Sequence, residues 1–244
     1  MPTETEWRED QSLNSDRSEP TESGLTDHFR LGKTALMAAM AAATTRVFPA
    51  RTVILREGEL QTMMSQVVSG WATSRCTLPD GRTQLISILL PGDMIGVSSL
   101  IHGSRRESIE AQTQVSVQSL SHAQVLHLAA KTPSVALWLI WHQSQESMRA
   151  DEWLAVLSHG NAIEKIAFLL LGLYRRLKGV GQASDGPVRV PLTLREIGER
   201  VGLTLPHVCR TVALLRERGV VKVHYRAIDI IDPRALIAYA ENTL

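Results

Sequence analysis

The stretch Leu192–Gly219, "LTLREIGERVGLTLPHVCRTVALLRERG", contains two short helical patterns that a glycine separates. Thr193 suits the cap of the first helix, because Glu196 follows three residues later and completes a capping box. Gly202 lies between the two patterns, where a tight turn needs a residue that tolerates positive φ. The spacing therefore predicts a helix-turn-helix.

The second helix of the pair has one apolar side and one free side. At about 100° per residue, three apolar residues form one stripe: Val208, Val212 and Leu215. Thr204 suits the cap of this helix, and Pro206 suits its first turn, where a missing N–H loses no partner. The side opposite the stripe carries Pro206, Arg210 and Ala213, with Cys209 at its edge.

This arrangement suits a helix that enters the major groove of DNA. The apolar stripe would hold the helix from behind, and its outward N-terminal residues would reach base edges. Arg210 is the candidate reader, because a guanidinium can donate two hydrogen bonds to O6 and N7 of one guanine. A helix-turn-helix can also be a purely structural corner, and this alternative stays open.

The segment after Gly219, "VVKVHYRAIDIID", has two β-prone runs on either side of "HYR". A hairpin at this place predicts the wing of a winged helix, although its turn lacks Gly or Asn. Lys222, His224 and Arg226 could touch phosphates there. Besides His224, the candidate DNA-contacting residues are Thr204, Pro206, His207, Cys209, Arg210, Ala213, Lys222 and Arg226.

The distribution of charge supports the same partner. The chain has 244 residues and a net charge of +1. Residues 1–30 hold eight acids and three bases, a balance of −5, whereas residues 189–226 hold eight bases and three acids, a balance of +5. A basic C-terminal segment makes double-stranded DNA a candidate partner, and the alternative is a solvated charged surface.

The cysteine count and the hydropathy exclude several classes of protein. The two cysteines, Cys76 and Cys209, form no CxxC pair, so a disulfide scaffold and a cysteine-ligated zinc site are not expected. Four cysteines for an iron–sulfur cluster are lacking, and His102, His122, His127 and His142 have no context typical of haem ligands. We expect no cofactor and no metal. The N-terminus has no signal-peptide pattern and no apolar run spans a membrane, which predicts a cytoplasmic protein without a membrane partner.

The remaining sequence indicates an α+β protein with four segments. Residues 1–24 are rich in Glu, Ser, Thr and Asp and predict a disordered acidic tail. Residues 25–132 begin with one short helix and continue as short β-rich runs with regular turn signals, which predicts an N-terminal β jelly roll. One of these signals, "LPDG", has the Pro and Asp-Gly that a hairpin turn needs. Residues 160–244 contain the winged helix-turn-helix.

The segment between them, residues 133–159, predicts a long dimerisation helix. Alternating spacings of four and three residues, typical of a coiled-coil seam, join Leu137, Trp141, Ser144, Met148, Asp151 and Ala155. Ser144 and Asp151 dilute this seam. The alternative is a helix that packs on its own domain.

In this order the segments resemble the Crp/Fnr-type bacterial transcription regulators. The resemblance covers roughly Leu25 to Ala240 and rests on four stretches: "REGE", "VVSGWA", "LPDGRTQLISILLPGDMIG" and "LTLREIGERVGLTLPHVCRTVALLRERGVV". It implies a homodimer that binds a near-palindromic site, regulates transcription and, as an activator, contacts RNA polymerase. It also places Arg210 on the recognition-helix arginine and Pro206 where many members carry a base-contacting Glu, while "PHVCR" is similar to members with "HVNR".

The resemblance also identifies a ligand loop in the jelly-roll sensor domain: Gly96, Val97, Ser98, Arg105, Arg106 and Ser108. Members that bind cyclic nucleotides carry a Glu directly after the glycine and an Arg-Ser or Arg-Thr pair for the phosphate. Here Val97 follows Gly96, and Glu107 stands between Arg106 and Ser108. We therefore expect a sensor domain that does not bind cyclic AMP. A regulator gated by another small molecule remains an alternative.

Three further hypotheses concern redox control at Cys209, enzymatic activity, and a module that does not bind DNA. Cys209 lies near a helix N-terminus beside His207 and Arg210, which favours a thiolate, so its oxidation could weaken DNA binding. The alternative is that Cys209 is present only because a small side chain fits at this position.

No GxSxG, HExxH, P-loop or dinucleotide motif indicates an enzyme. A ligand-binding or protein-interaction module without DNA binding is the third possibility, and Arg210 with the basic wing argues against it.

Overall fold

A computed structural model describes residues 23–104, 106–181 and 187–240 of the chain. These residues divide into two compact units, with the boundary between Arg149 and Ala150. None of the helices within the described ranges is long and apolar enough to cross a membrane. Residues 1–22 of the predicted acidic tail lie outside the described ranges.

The first unit begins with helix α1, Ser23–Ala41. It is longer than predicted and takes in Ser23 and Gly24, which the sequence had assigned to the tail. One face of α1 is buried through Phe29, Leu36 and Met40, and this packing stabilises the N-terminal part that the short predicted helix did not include.

Two antiparallel four-stranded sheets follow and confirm the predicted β architecture. Their orders are β1-β8-β3-β6 and β2-β7-β4-β5. The strands are β1 Thr45–Phe48, β2 Val53–Leu55, β3 Met63–Ser69, β4 Ala72–Thr77, β5 Thr83–Leu89, β6 Met94–Ile95, β7 Ser108–Ala111 and β8 Val115–Ser121. A short helix, α2, Ser99–His102, lies between β6 and β7. The hairpin expected at "LPDG" joins β4 to β5, where the Leu78 N–H donates to the carbonyl of Arg82 at 2.7 Å.

Alternating side chains fill the space within this β domain. The buried set comprises Val67, Ala72, Ile95, Ile109, Ala111, Val115 and Val117. A second buried set packs helices against the domain: Phe29, Leu36, Met40, Met64, Met94, Val97, Leu120, Val125, Val135 and Trp138. Helix α3, His122–Lys131, starts with a capping box of Ser121 and Gln124 and leads into the long helix α4, Ser134–His159.

The second unit holds the last turns of α4 and the C-terminal elements. These are α5 Ala162–Gly179, β9 Val188–Val190, α6 Leu194–Val201, α7 Leu205–Glu217, β10 Val221–His224, β11 Ala227–Ile230 and α8 Pro233–Ala240. Strands β10, β11 and β9 form one antiparallel sheet in that order. The sequence predicted the hairpin β10–β11, but its third strand β9 was missed.

Candidate nucleic-acid interface

The first helix of the motif, α6, begins and ends as its sequence predicted. The Glu196 N–H donates to Thr193 Oγ1 at 3.2 Å, and the Thr193 N–H donates to Glu196 Oε2 at 2.8 Å. Gly202 ends the helix with φ +69° and ψ +33°, which is left-handed backbone. Ile197 and Val201 are fully buried and form the inner side of the motif.

Helices α6 and α7 approach closely at Gly198, which sequence reasoning did not single out. A Cβ at this position would lie 2.7 Å from the carbonyl oxygen of Leu203 and 3.3 Å from a methyl group of Val208. Only glycine fits here without a shift of the backbone. The interhelical turn and the contact between the two helices thus depend on Gly198 as well as Gly202.

Helix α7 has the two faces that the sequence predicted. Val208, Val212 and Leu215 are at most 1% exposed. The opposite face is open to solvent at Pro206, His207, Cys209 and Arg210, whereas Ala213 is half-buried. Thr211 is buried as well, and its hydroxyl donates to the carbonyl of His207 at 3.0 Å.

The start of α7 differs from the prediction at Thr204. This residue occupies the N-cap position, but its hydroxyl accepts no capping hydrogen bond from any described backbone N–H. The Thr204 carbonyl instead accepts the N–H groups of His207 and Val208, each at 3.0 Å. Thr204 is exposed, so it remains a candidate for contact with DNA.

The wing is the hairpin of β10 and β11, in which Val221 pairs with Ile230 and His224 with Ala227. Its turn consists of Tyr225 and Arg226. Tyr225 is 92% exposed, and Lys222 and Arg226 are exposed too. The wing therefore presents two cationic side chains and one aromatic ring to solvent.

One carboxylate, Asp229, organises the outer face of this sheet. Arg189 Nε donates to Asp229 Oδ1 at 2.8 Å, and His224 Nε2 lies 2.7 Å from Asp229 Oδ2. The hydrogen bond from Arg189 holds the pKa of Asp229 below its ordinary value; burial opposes this shift, and the contact with His224 adds to it. This cluster was not predicted from the sequence, because its three members come from three strands.

The predicted ligand loop lies in the first unit. Gly96 adopts φ +85°, and a Cβ there would meet the carbonyl oxygen of Met63 at 2.9 Å. Val97 is 8% exposed and belongs to the apolar core. Ser98 is half-buried and Arg106 is exposed, whereas Arg105 lies outside the described residues. The Ser108 hydroxyl donates to the carbonyl of Arg75 at 3.3 Å.

Glu107 points its carboxylate at the β domain. Oε2 accepts a short hydrogen bond from the hydroxyl of Ser74, which is fully buried on β4. Ser74 stands opposite Ile109 in the β4–β7 ladder, so it shares a face with Ala72, a member of the buried core. A negative charge thus lies at a buried, inward-facing hydroxyl.

The proposed seam of α4 is largely exposed. Leu137, Ser144, Met148 and Ala155 are open to solvent, as is Asp151. Trp141 is half-buried and packs edge-on against Phe29, with ring centroids 4.5 Å apart, so it serves the core of its own domain. Ile140, 67% exposed, extends the apolar stripe and was not in the predicted set.

The cysteines and histidines show no assembled site. Cys209 is exposed, Cys76 is half-buried, and both are free thiols. His122 Nε2 lies 3.2 Å from the hydroxyl of Ser99, while His102 and His127 are exposed and His142 is half-buried. Across the described ranges no three His, Cys, Asp or Glu side chains group as metal ligands.

Two family models match the chain in the order of its units. A cyclic nucleotide-binding domain matches residues 45–132, and a Crp-like helix-turn-helix domain matches residues 164–239. The first match covers the β domain and α3, and the second covers α5 to α8.

Curated relatives are transcription regulators. The transcriptional activator protein FnrL of Cereibacter sphaeroides is 31% identical over 72% of this chain and 71% of its own length. The nitrogen fixation regulation protein FixK of Bradyrhizobium diazoefficiens is 28% identical over 79% of this chain and 80% of its own length. These relatives are regulators and not enzymes.

Solved structures agree with the sequence matches. The structure of FixK2 from Bradyrhizobium japonicum has a TM-score of 0.72 at 30% identity, over 81% of this chain and 97% of that one. A Crp/Fnr-family regulator from Thermus thermophilus, at 22% identity and a TM-score of 0.66, shares the fold. With its β domain, long helix and winged helix-turn-helix, the chain belongs to the Crp/Fnr family of bacterial transcription regulators and is a DNA-binding regulator.

Proposed function

We propose that the chain acts as a homodimer that binds a near-palindromic DNA site, with one α7 in the major groove of each half-site. Half-sites would lie about 10 bp apart, one turn of the double helix. The observation that carries this proposal is the division of α7: Val208, Val212 and Leu215 are buried, while Pro206, Cys209 and Arg210 are exposed. A helix held from behind in this way offers a preformed surface for base edges.

Arg210 is the residue that reads sequence in this proposal. It is exposed in the first half of α7, and its guanidinium can donate two hydrogen bonds to one guanine. Cys209 and Ala213, both small, let the helix seat close to the bases. Thr204, Pro206 and His207 lie at the N-terminal end of α7, where a groove-reading helix meets the bases and the backbone.

The wing supplies contacts that do not depend on sequence. Lys222 and Arg226 are exposed cations, and cations there would contact phosphates, release counterions and make the affinity fall with salt. Loss of either side chain would weaken binding to all sequences alike and lower the salt slope by about 1.

Dimerisation would use the exposed stripe of α4. Three large apolar side chains are exposed along one side of this helix: Leu137, Ile140 and Met148. Ser144 and Ala155 lie on the same side. An exposed apolar stripe of this kind is typical of a surface that contacts another protein. Met148→Glu would place a charge in this seam, whereas Gln143→Glu is a matched change off the seam. Sedimentation equilibrium should show a monomer only for Met148→Glu.

The sensor domain, in this proposal, does not bind cyclic AMP. Val97 is buried in the core where ligand-binding members place a carboxylate for the ribose, and Glu107 brings a negative charge to the buried hydroxyl of Ser74. An anionic phosphate would be repelled there. Calorimetry with cyclic AMP should detect no heat of binding to the parent. Glu107→Ser, which removes this charge and puts a serine directly after Arg106, should bind more tightly than the parent.

The relatives suggest the setting in which the regulator acts. FnrL is named a transcriptional activator, and by this likeness we assign activation to the chain. An activator of this kind would act in the cytoplasm and contact RNA polymerase. Gating by another small molecule remains the second candidate, because the β domain matches a ligand-binding family.

The test is selection of bound sequences from a random DNA pool by the purified protein at fixed salt without ligand. The account predicts an inverted repeat in reducing buffer. Binding that is weak, sensitive to salt and blind to sequence would favour the gated alternative. A repetition in peroxide tests Cys209: if Cys209→Ser loses binding just as the parent does, the redox hypothesis fails.

A further inference from the structure

One half-buried cation in the second unit has no role in the candidate nucleic-acid interface. Arg200, in the last turn of α6, is half-buried, and its Cζ lies 3.9 Å from the centroid of the Trp153 ring. Trp153 belongs to α4 and is 9% exposed. Its ring also packs on Phe168 of α5, with centroids 5.7 Å apart and planes inclined by 32°.

This contact carries an electrostatic cost. Burial, and then the neighbouring charge of Arg176, lower the pKa of Arg200 to about 10. No carboxylate within the described ranges pairs with Arg200, so the face of the indole ring is its compensating partner. A methionine of similar length would fill the same space without a buried charge, so burial alone does not account for the arginine.

The position of the contact suggests what it does. Arg200 lies two residues before Gly202, the turn that leads into α7. Because α6 and α7 are in close contact at Gly198, the placement of α6 constrains the placement of α7. A planar guanidinium on a planar ring, which itself lies on a second ring, restricts the angle between the end of α4 and α6.

We propose that the stack of Trp153 and Arg200 is a positioning contact that sets the distance between the two half-sites the dimer accepts. The inference rests on the proposed function, in which α4 joins the two copies and α7 reads DNA. If α6 is fixed to the end of α4, the two copies of α7 stand at one separation. Each added base pair would turn a half-site by about a tenth of a helical turn away from its reader.

The experiment compares synthetic inverted repeats whose spacers differ by one and two base pairs. Affinities are measured at fixed salt for the parent, Arg200→Met, Trp153→Phe and Arg195→Met. Arg195→Met is the matched control, because Arg195 is an exposed arginine of the same helix. Binding to a single half-site is measured alongside, since it reports α7 without the dimer geometry.

The parent and Arg195→Met should prefer one spacer. Arg200→Met should keep its single-half-site affinity and lose about fivefold in the preference between adjacent spacers, the fold-change that corresponds to about 1 kcal/mol. Trp153→Phe, which keeps a ring face, should retain most of the preference. An Arg200→Met protein with the parent's spacer preference would overturn the inference, as would the same loss in Arg195→Met.

Two further outcomes are distinguishable. If the parent itself prefers no inverted repeat, the proposed function fails and the positioning role fails with it. If Arg200→Met unfolds early in a thermal scan, Arg200→Lys decides, because it keeps a cation but lacks the planar stack. A parent-like spacer preference in Arg200→Lys would overturn a role for the stacking geometry.

Discussion

The two units of the molecule place their polar groups in opposite ways. In the β domain, Thr73 and Ser74 are fully buried, and internal partners bond both: the Gln112 side chain donates to the Thr73 hydroxyl at 2.8 Å, and the Ser74 hydroxyl donates to Glu107. In the winged helix, His207 and Arg210 are exposed to solvent, on a helix whose other side is apolar and buried. The buried hydroxyl groups of the β domain are therefore engaged in internal hydrogen bonds, whereas the exposed polar side chains of α7 are available to a partner.

This difference indicates where the specificity of the protein lies. A buried hydroxyl already bonded to a carboxylate gains little from a ligand, because the ligand must first displace an existing hydrogen bond. An exposed guanidinium on a rigid helix loses only its water. The comparison predicts that changes in the β domain alter stability, while changes on the outer face of α7 alter DNA binding.

The largest change in the free energy of unfolding should come from the buried apolar face of α7. Leu215 is fully buried, so Leu215→Ala should destabilise the protein by about 2–5 kcal/mol and reduce DNA binding through the loss of fold. Leu214, 47% exposed, is the matched control on the same helix, and Leu214→Ala should leave the free energy of unfolding within about 0.5 kcal/mol of the parent. Urea unfolding measures both. Equal losses would show that α7 does not pack as described.

The next effect should come from the close contact of α6 and α7. Gly198→Ala places a Cβ against the carbonyl of Leu203 and should cost about 1–3 kcal/mol of stability as the two helices separate. Gly172→Ala, in the middle of α5 with nothing within 4 Å, should instead stabilise the protein by about 0.5–1 kcal/mol. Thermal unfolding of the pair gives the sign of each change. A stabilised Gly198→Ala would refute the contact.

A smaller effect is expected in the β domain. Ser74→Ala removes the buried donor to Glu107 and should cost about 1 kcal/mol of stability, while DNA affinity stays unchanged. Ser69→Ala removes the donor or acceptor of an exposed bond to Ser116 and should cost less. If Ser74→Ala changed DNA affinity at constant stability, the division between the two units would be wrong.

The smallest effect concerns acid stability. Because the folded state lowers the pKa of Asp229 from its ordinary value of 3.8, the stabilisation is fully present above that value. It is lost as the pH falls through the lowered folded value. Asp229→Asn should therefore flatten the decline of stability below about pH 4, when urea midpoints are compared with the parent from pH 2.5 to pH 7. Identical pH profiles would contradict the pairing with Arg189.

The parts of the fold that the sequence predicted depend on local signals. The capping box of Thr193 and Glu196, the glycine at 202 and the stripe of Val208, Val212 and Leu215 each lie within a few residues, so spacing alone identifies them. The hairpin at "LPDG" was predictable for the same reason.

The parts that were missed depend on contacts distant in sequence. Strand β9 is three residues long and is defined by its pairing with β11, nearly forty residues later. The contact of Arg200 with Trp153 joins residues that no local pattern connects. Trp141 fits a coiled-coil spacing, yet its ring packs against Phe29, which is far away along the chain, in the core of the β domain. Thr204 occupies the N-cap position of α7, but its side chain makes no capping hydrogen bond with the described backbone.

In the proposed function, Arg210 reads a base from the outer face of α7. The most direct test measures the affinity of the parent, Arg210→Ala and Arg216→Ala for every single-base variant of a selected site. We predict that Arg210→Ala loses about 1–3 kcal/mol of binding free energy and becomes indifferent at one base position in each half-site, while Arg216→Ala keeps the parent's profile. A uniform loss at all positions, equal for the two variants, would contradict it.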